Sequence, residues 1–184
     1  MVQEVTEYLK ANQSEHRFQH SLETSRNANE IAHHISSSVS CVEKTNLAGL
    51  SHDIAREWEE DKLIASAKED YTLKEWELEN PILLHGKAGA AFLRKEFFLE
   101  DEEVLEAVAW HTTGKPGMDT VAKILFIADY MRPETGKDKL YRGAALDELV
   151  LWVIEGKKRY ARKKGYRILP PLLALESEYK DKRF

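Results

Sequence analysis

Apolar residues recur at helical spacing along almost the whole chain. Val2, Val5 and Leu9 open the pattern, and Phe18, Leu22, Ala28, Ile31, Ala32 and Ile35 extend it over a long second segment. A serine-rich stretch from Ser36 to Ser40 marks a break, after which Leu47, Leu50 and Ile54 predict a third helix running into His52-Asp53. Thr72-Leu73-Lys74-Glu75 has the form of a capping box, so a short helix is expected there, stopping before Pro81. Ile82 to Phe98 reads as the next helix. Asp101 can cap a helix on which Val104, Val108 and His111 share a face, and Thr112-Thr113-Gly114-Lys115-Pro116-Gly117 closes it. Asp119 caps another, carrying Val121, Ile124, Leu125 and Ala128 and ending near Asp129 and Pro133. Leu146, Leu149, Val150 and Val153 predict a last long helix that Gly165 terminates. No sustained alternation of period two and no internal repeat interrupts this reading. The expected fold is all-α, a helical bundle.

Composition narrows the class. With 184 residues, 42% hydrophobic and 32% charged, the chain suits one soluble globular domain, 1–184. Nothing in it spans a membrane, and its acidic start lacks the basic and apolar pattern of an export signal. Cys41 is the sole cysteine, so neither an internal disulfide nor a thiolate metal site can form, and a cytoplasmic location is expected. A net charge of −5 argues against a surface tuned as a whole for nucleic acid. Yet Lys157, Lys158, Arg159, Arg162, Lys163, Lys164 and Arg167 form a basic run without an acidic residue among them. It reads as a solvated helix end complementing the macrodipole, with a phosphate-attracting patch as the alternative.

Familiar catalytic words are missing. There is no His-Glu-x-x-His, no Gly-x-Ser-x-Gly and no Gly-x-Gly-x-x-Gly. A phosphate loop ending at Gly114-Lys115 fails because Ala109 stands where glycine is needed and Pro116 where a hydroxyl should hold magnesium. What remains is a series of ligand-type residues at the ends of apolar helical faces. His52-Asp53 lies in Leu47-Ala48-Gly49-Leu50-Ser51-His52-Asp53-Ile54-Ala55, where an ionised aspartate needs a partner that a metal would supply. Leu83-Leu84-His85-Gly86, Ala107-Val108-Ala109-Trp110-His111 and Leu125-Phe126-Ile127-Ala128-Asp129 repeat the arrangement, and His20 completes the order His, His-Asp, His, His, Asp.

In these words the chain resembles the HD-domain phosphohydrolases, and within them the YqeK family of bacterial symmetrical diadenosine tetraphosphatases. The resemblance runs from about His16 to Pro133 through Arg17-Phe18-Gln19-His20-Ser21-Leu22, the Gly49-to-Ala55 word, Leu83-Leu84-His85-Gly86, His111-to-Met118 and Ile127-Ala128-Asp129-Tyr130, with a helical extension over 140–184. It implies that His20, His52, Asp53 and Asp129 hold one metal, that His85, His111 and a bridging Asp53 hold a second, and that water or hydroxide lies between them. Imidazoles mixed with carboxylates suit transition metals, iron first, with manganese, cobalt or zinc as alternatives, better than calcium or magnesium. The resemblance also implies a catalytic role for Asp53 and Arg56, and substrate contacts from Arg17, Arg56, Thr113, Gly114 and Lys115. Arg56, one helical turn after Asp53, stands where the family commonly has lysine, and Lys115 where it has arginine. Arg132-Pro133-Glu134 and the Pro170-Pro171 segment depart from the family pattern.

The other histidines read differently. His34 is fourteen residues beyond His20, about 21 Å along a continuous helix, and cannot share its metal. His33 is expected at the surface and His16 ahead of the helix. The tryptophans read as core or interface residues, with lining of the site as the alternative for Trp110, which adjoins His111. The expected activity is hydrolysis of a dinucleoside tetraphosphate into two nucleoside diphosphates. Other nucleotide phosphohydrolases, acting on guanosine alarmones or deoxynucleotides, are the alternative enzymes, and a nucleotide- or RNA-binding module using the basic run is the alternative class. The expected partners are a nucleotide substrate and neither nucleic acid nor membrane, and a homodimer is compatible with the sequence.

Overall fold

The computed structural model describes residues 1–35, 37–131 and 144–181. Its elements are α1 (Val2–Asn12), α2 (Glu15–His34), α3 (Val39–Ser51), α4 (Glu60–Asp70), α5 (Glu75–Leu78), a 3-10 turn (Pro81–Leu84), α6 (His85–Glu96), α7 (Glu102–Trp110), α8 (Thr120–Tyr130), α9 (Leu146–Lys164) and α10 (Pro170–Asp181). Among the described residues there is no strand, as the periodicity requires.

The centre of the bundle is α8. Ile124, Leu125, Phe126 and Ile127 are all fully buried, and a helix apolar on every side must be enclosed by others. It touches α2, α3, α7 and α9, while α2 and α3 make the most extensive helix pairing. That pairing is close because residue 49 is glycine: a Cβ there would lie 2.7 Å from the Ser25 Cα. On the far side α4 and α7 flank α6. Tyr130 at the end of α8 meets Trp152 of α9 edge to face, with ring centroids 4.8 Å apart.

Side-chain caps place the helix starts as expected. Asp101 accepts from the amides of Glu103 and Val104, and Asp119 accepts from Ala122 at 2.8 Å. Ser14 caps α2, so His16 falls inside the first turn rather than before it. The capping box near residue 72 is displaced: Lys74 is the N-cap, and the Glu77 carboxylate accepts its amide at 2.9 Å. The helix expected over 82–98 is a 3-10 turn followed by α6, because Pro81 sets the tight first turn. Helix α3 starts at Val39, capped by Ser38, and stops at Ser51, with residues 52–57 in turns. Two helices lie outside the sequence reading. One is α4, which buries only Leu63 and Ala67, and the other is α10, begun by Pro170.

Helix α10 clasps the loop after His111. Leu175 packs so closely over Gly114 that a Cβ there would lie 2.6 Å from its Cδ2, and Gly114 has a φ of +64° besides. The Gly117 amide donates to Glu178 at 2.7 Å. Lys158 of α9 and Glu176 of α10, both buried, pair at 2.7 Å and fasten the two last helices together.

Candidate metal centre

Helix ends make this site. The C-terminal ends of α3, α7 and α8 converge, and the negative ends of their helix dipoles favour positive charge between them. His52 and His111 follow α3 and α7 directly, His85 opens α6, Asp129 lies in the last turn of α8, and His20 projects from α2.

Each of three histidines is oriented by the carbonyl three residues before it. Nδ1 of His52 lies 2.8 Å from the Gly49 oxygen, that of His85 2.5 Å from Ile82, and that of His111 2.7 Å from Val108. A carbonyl only accepts, so these contacts assign the proton to Nδ1 and leave each Nε2 as a lone pair. The Nε2 atoms of these three and of His20 lie close together. His85 and His111 Nε2 are 3.0 Å apart, and His20 and His52 Nε2 3.3 Å.

The carboxylates complete two groups. Asp129 Oδ1 lies 3.3 Å from His20 and 3.5 Å from His52. Asp53 is shared: Oδ2 lies 3.4 Å from His52 and 3.7 Å from His20, whereas Oδ1 lies 3.1 Å from His85 and 3.6 Å from His111. The backbone around Asp53 is fixed by Gln13, whose amide donates to the Asp53 carbonyl at 2.8 Å.

Burial and charge oppose each other here. Burial pushes His52 down, but Asp53 and Asp129 outweigh it and raise the imidazole to about 10, so its Nε2 between the two carboxylates takes either a proton or a metal ion. His111, pulled down first by burial and then by its histidine neighbours, falls to about 4. Burial favours neutral Asp53 and Asp129, yet the surrounding histidines hold both well below the usual carboxylate range. Acceptors facing acceptors in a buried setting call for a cation. Two nitrogens about 2.1 Å from one ion at near-tetrahedral angles are about 3.4 Å apart, close to the separations seen. The donor set therefore fits metal ions: His20, His52 and Asp129 form one group that could hold an ion and His52, Asp53 and His111 another, with His85 3.1 Å from Asp53 and 3.0 Å from His111.

Above this floor opens a cleft of about 520 Å³, lined in part by Arg17, Arg26, Arg56 and Thr112. Arg17 reaches Asp53 Oδ2 at 2.5 Å. Residues 17–133 match the HD domain family. The chain belongs to the HD-domain family. The symmetrical bis(5'-nucleosyl)-tetraphosphatase of Halalkalibacterium halodurans is 30% identical, with 90% of each chain covered. The protein of the same name from Staphylococcus aureus is 32% identical over 74% of this chain and 72% of the relative. A solved structure from Clostridium acetobutylicum, described as a predicted HD superfamily hydrolase involved in NAD metabolism, superposes with a TM-score of 0.89. It is 30% identical and covers 100% of this chain and 98% of its own.

In this HD domain His20, His52, Asp53, His85, His111 and Asp129 lie together, and Arg17 and Arg56 line the cleft beside them. Three other expected substrate contacts lie elsewhere. Thr113 is buried and donates to the Gly114 carbonyl, Gly114 packs under Leu175, and Lys115 pairs with Glu106 beside the Trp110 ring. None of the three lines the cleft, and neither does Trp110. His33 and His34 are exposed and do not line the cleft, whereas His16 does. Arg132-Pro133-Glu134 falls outside the described residues.

Six residues of the cleft lining lay outside the sequence expectation, Gln19, Glu23, Thr24, Arg26, Thr112 and Met131. Thr112, next to His111, brings its hydroxyl within 3.1 Å of His111 Nε2 and 3.3 Å of His85 Nε2. Arg26 stands on a stripe of α2 with Gln19 and Glu23 at i, i+4 and i+7, a spacing visible in the sequence beside His20. Among the described residues no helix is long and apolar enough to cross a membrane.

Proposed function

We propose that this HD domain hydrolyses diadenosine tetraphosphate symmetrically to two ADP, using a pair of divalent transition-metal ions, iron foremost. His20, His52, Asp53 and Asp129 would hold one ion, and His85, His111 and the second oxygen of Asp53 the other. The observation that carries the reading is the division of the Asp53 carboxylate between two histidine groups under an arginine-rimmed cleft. The relatives from H. halodurans and S. aureus, both named symmetrical tetraphosphatases, support the choice of substrate.

Bound ions at such a site supply Lewis acidity toward phosphoryl oxygens and water of lowered pKa. The chain's own residues do the rest. The backbone carbonyls of Gly49, Ile82 and Val108 hold three imidazoles in the ligating tautomer. Arg17, Arg26 and Arg56 present forked donors along the cleft, matched to the oxygens of a polyphosphate and to charge that builds up as the anhydride breaks. Water adds to one of the two central phosphorus atoms, and the bridging oxygen leaves with the other ADP.

Protein loaded with iron or manganese and offered diadenosine tetraphosphate should release ADP alone. ATP plus AMP would mean asymmetric cleavage. Absence of turnover beside brisk hydrolysis of guanosine alarmones or deoxynucleotides would replace the substrate while keeping the metal site.

A further inference from the structure

The basic run of α9 divides in two once its surroundings are seen. Lys157 is half-buried and donates to the Thr112 carbonyl at 2.9 Å, and Lys158 is buried against Glu176. Arg159, Arg162, Lys163, Lys164 and Arg167 are all exposed, and no ion pair engages them among the described residues. The macrodipole accounts for cations in the last helical turn, Arg162 to Lys164. It does not account for Arg159, a turn earlier, or Arg167, beyond the helix.

Two aromatic rings lie among these cations. Tyr160 is 57% exposed and Tyr166 61%, and their centroids are 6.3 Å apart at an interplanar angle of 64°. A specific turn brings them together. Gly165, with φ at +70°, reverses the chain so that the Tyr166 amide donates to Ala161 and the Gly165 amide to Arg162, the paired bonds of a Schellman ending. Such endings often carry a contact between the residue after the glycine and the last helical turns, which explains why the rings touch. It leaves unexplained why both remain mostly in water in a stretch of chain whose exposed cations have no ion pair among the described residues.

We infer that this end of α9 binds single-stranded nucleic acid, with the arginines and lysines on the phosphates and the faces of Tyr160 and Tyr166 on successive bases. Every base offers a π-face, and stacking on tyrosine beside arginine is the recognition such a surface provides without reading sequence. An anionic lipid surface would call for aliphatic side chains to insert, and the exposed large apolar residues of residues 159–167 are the two tyrosines alone. The chain's net charge of −5 is an average that conceals this face. The patch is separate from the cleft, none of whose lining residues comes from α9.

The test is anisotropy of a labelled oligouridylate of about a dozen nucleotides, titrated with full-length protein over a range of salt. Contact with four or five phosphates predicts a slope of log K against log salt of about −3. Tyr160→Ala with Tyr166→Ala should weaken binding at least about 10-fold at an unchanged slope. Arg162→Gln with Lys163→Gln and Lys164→Gln should flatten the slope by about 2. Both variants should hydrolyse nucleotide as the parent does. No binding at low salt, or equal binding by the tyrosine variant, would overturn the inference. So would binding to phosphatidylserine vesicles without binding to the oligonucleotide, or a fall in nucleotide kcat/KM in the tyrosine variant, which would assign the patch to lipid or to substrate capture.

Discussion

The Arg17 guanidinium lies 2.5 Å from Asp53 Oδ2, the oxygen turned toward His20 and His52, and leaves Oδ1 to His85 and His111. A cation thus already occupies one side of the carboxylate that a metal ion would need. On the proposed two-ion reading, an ion beside His20 and His52 would compete with Arg17 for Oδ2, and Arg17 would turn to phosphate when the ion wins.

Replacing Arg17 with methionine should act in opposite directions on the two ligands. Metal binding should tighten about 10-fold, the worth of one charge-assisted hydrogen bond, while KM for the nucleotide rises. Isothermal titration with manganese and steady-state kinetics measure the pair. Weaker metal binding in the variant would show that Arg17 supports the carboxylate instead of competing for it.

Asp53→Ala and Lys115→Ala should differ sharply. Asp53 touches both histidine groups, so its loss should lower turnover by more than about 100-fold, beyond the effect of outer partners, and should reduce bound metal. Lys115, paired with Glu106 outside the cleft lining, should be dispensable to within a few-fold. Turnover together with elemental analysis of anaerobically purified protein decides this, provided both variants melt near the parent. An active Asp53→Ala protein with full metal content would remove the shared-carboxylate reading.

Gly49→Ala tests the helix pairing under the site. The new Cβ would meet the Ser25 Cα at 2.7 Å, a backbone contact that no rotamer relieves. Forcing α2 from α3 should cost about 1–3 kcal/mol, read as a lower Tm, and should displace His20 from His52 enough to loosen metal. An unchanged Tm would mean that the two helices separate freely.

Acid should undo the clasp between α9 and α10. Lys158 first, then Lys180, hold the Glu176 carboxyl below its ordinary 4.5 against the effect of burial. A depressed folded pKa gives stability that is complete above about 4.5 and is lost as pH falls through the lowered value. Glu176→Gln should therefore cost about 2 kcal/mol at neutral pH, and the Tm gap to the parent should close on acidification below 4.5. A gap independent of pH would assign the loss to packing.

Much of the molecule was legible because period and composition agree. The caps Asp101 and Asp119, the stop at Gly165 and the absence of strands among the described residues follow from local chemistry that burial reinforces. Helix α4 escaped because it lies at the edge and buries only Leu63 and Ala67, too thin a stripe for periodicity to register. The placement of Gly114 depended on α10, a helix announced only by Pro170, whose Leu175 covers the loop from outside, and that of Lys115 on its pairing with Glu106. The convergence of six ligand-type residues was visible only as an ordered series. The sharing of Asp53 is a fact of three dimensions, since nothing local distinguishes its two oxygens.

The three backbone carbonyls behind His52, His85 and His111 have an evolutionary consequence. Main-chain oxygens cannot be deleted by changing a codon elsewhere, so the orientation of these imidazoles is inherited with the helix ends themselves. Arg17, Arg26, Arg56 and Thr112 carry no such protection. A lineage can exchange them one at a time, drifting from one phosphorylated substrate to another, without passing through an ancestor that has lost its grip on metal.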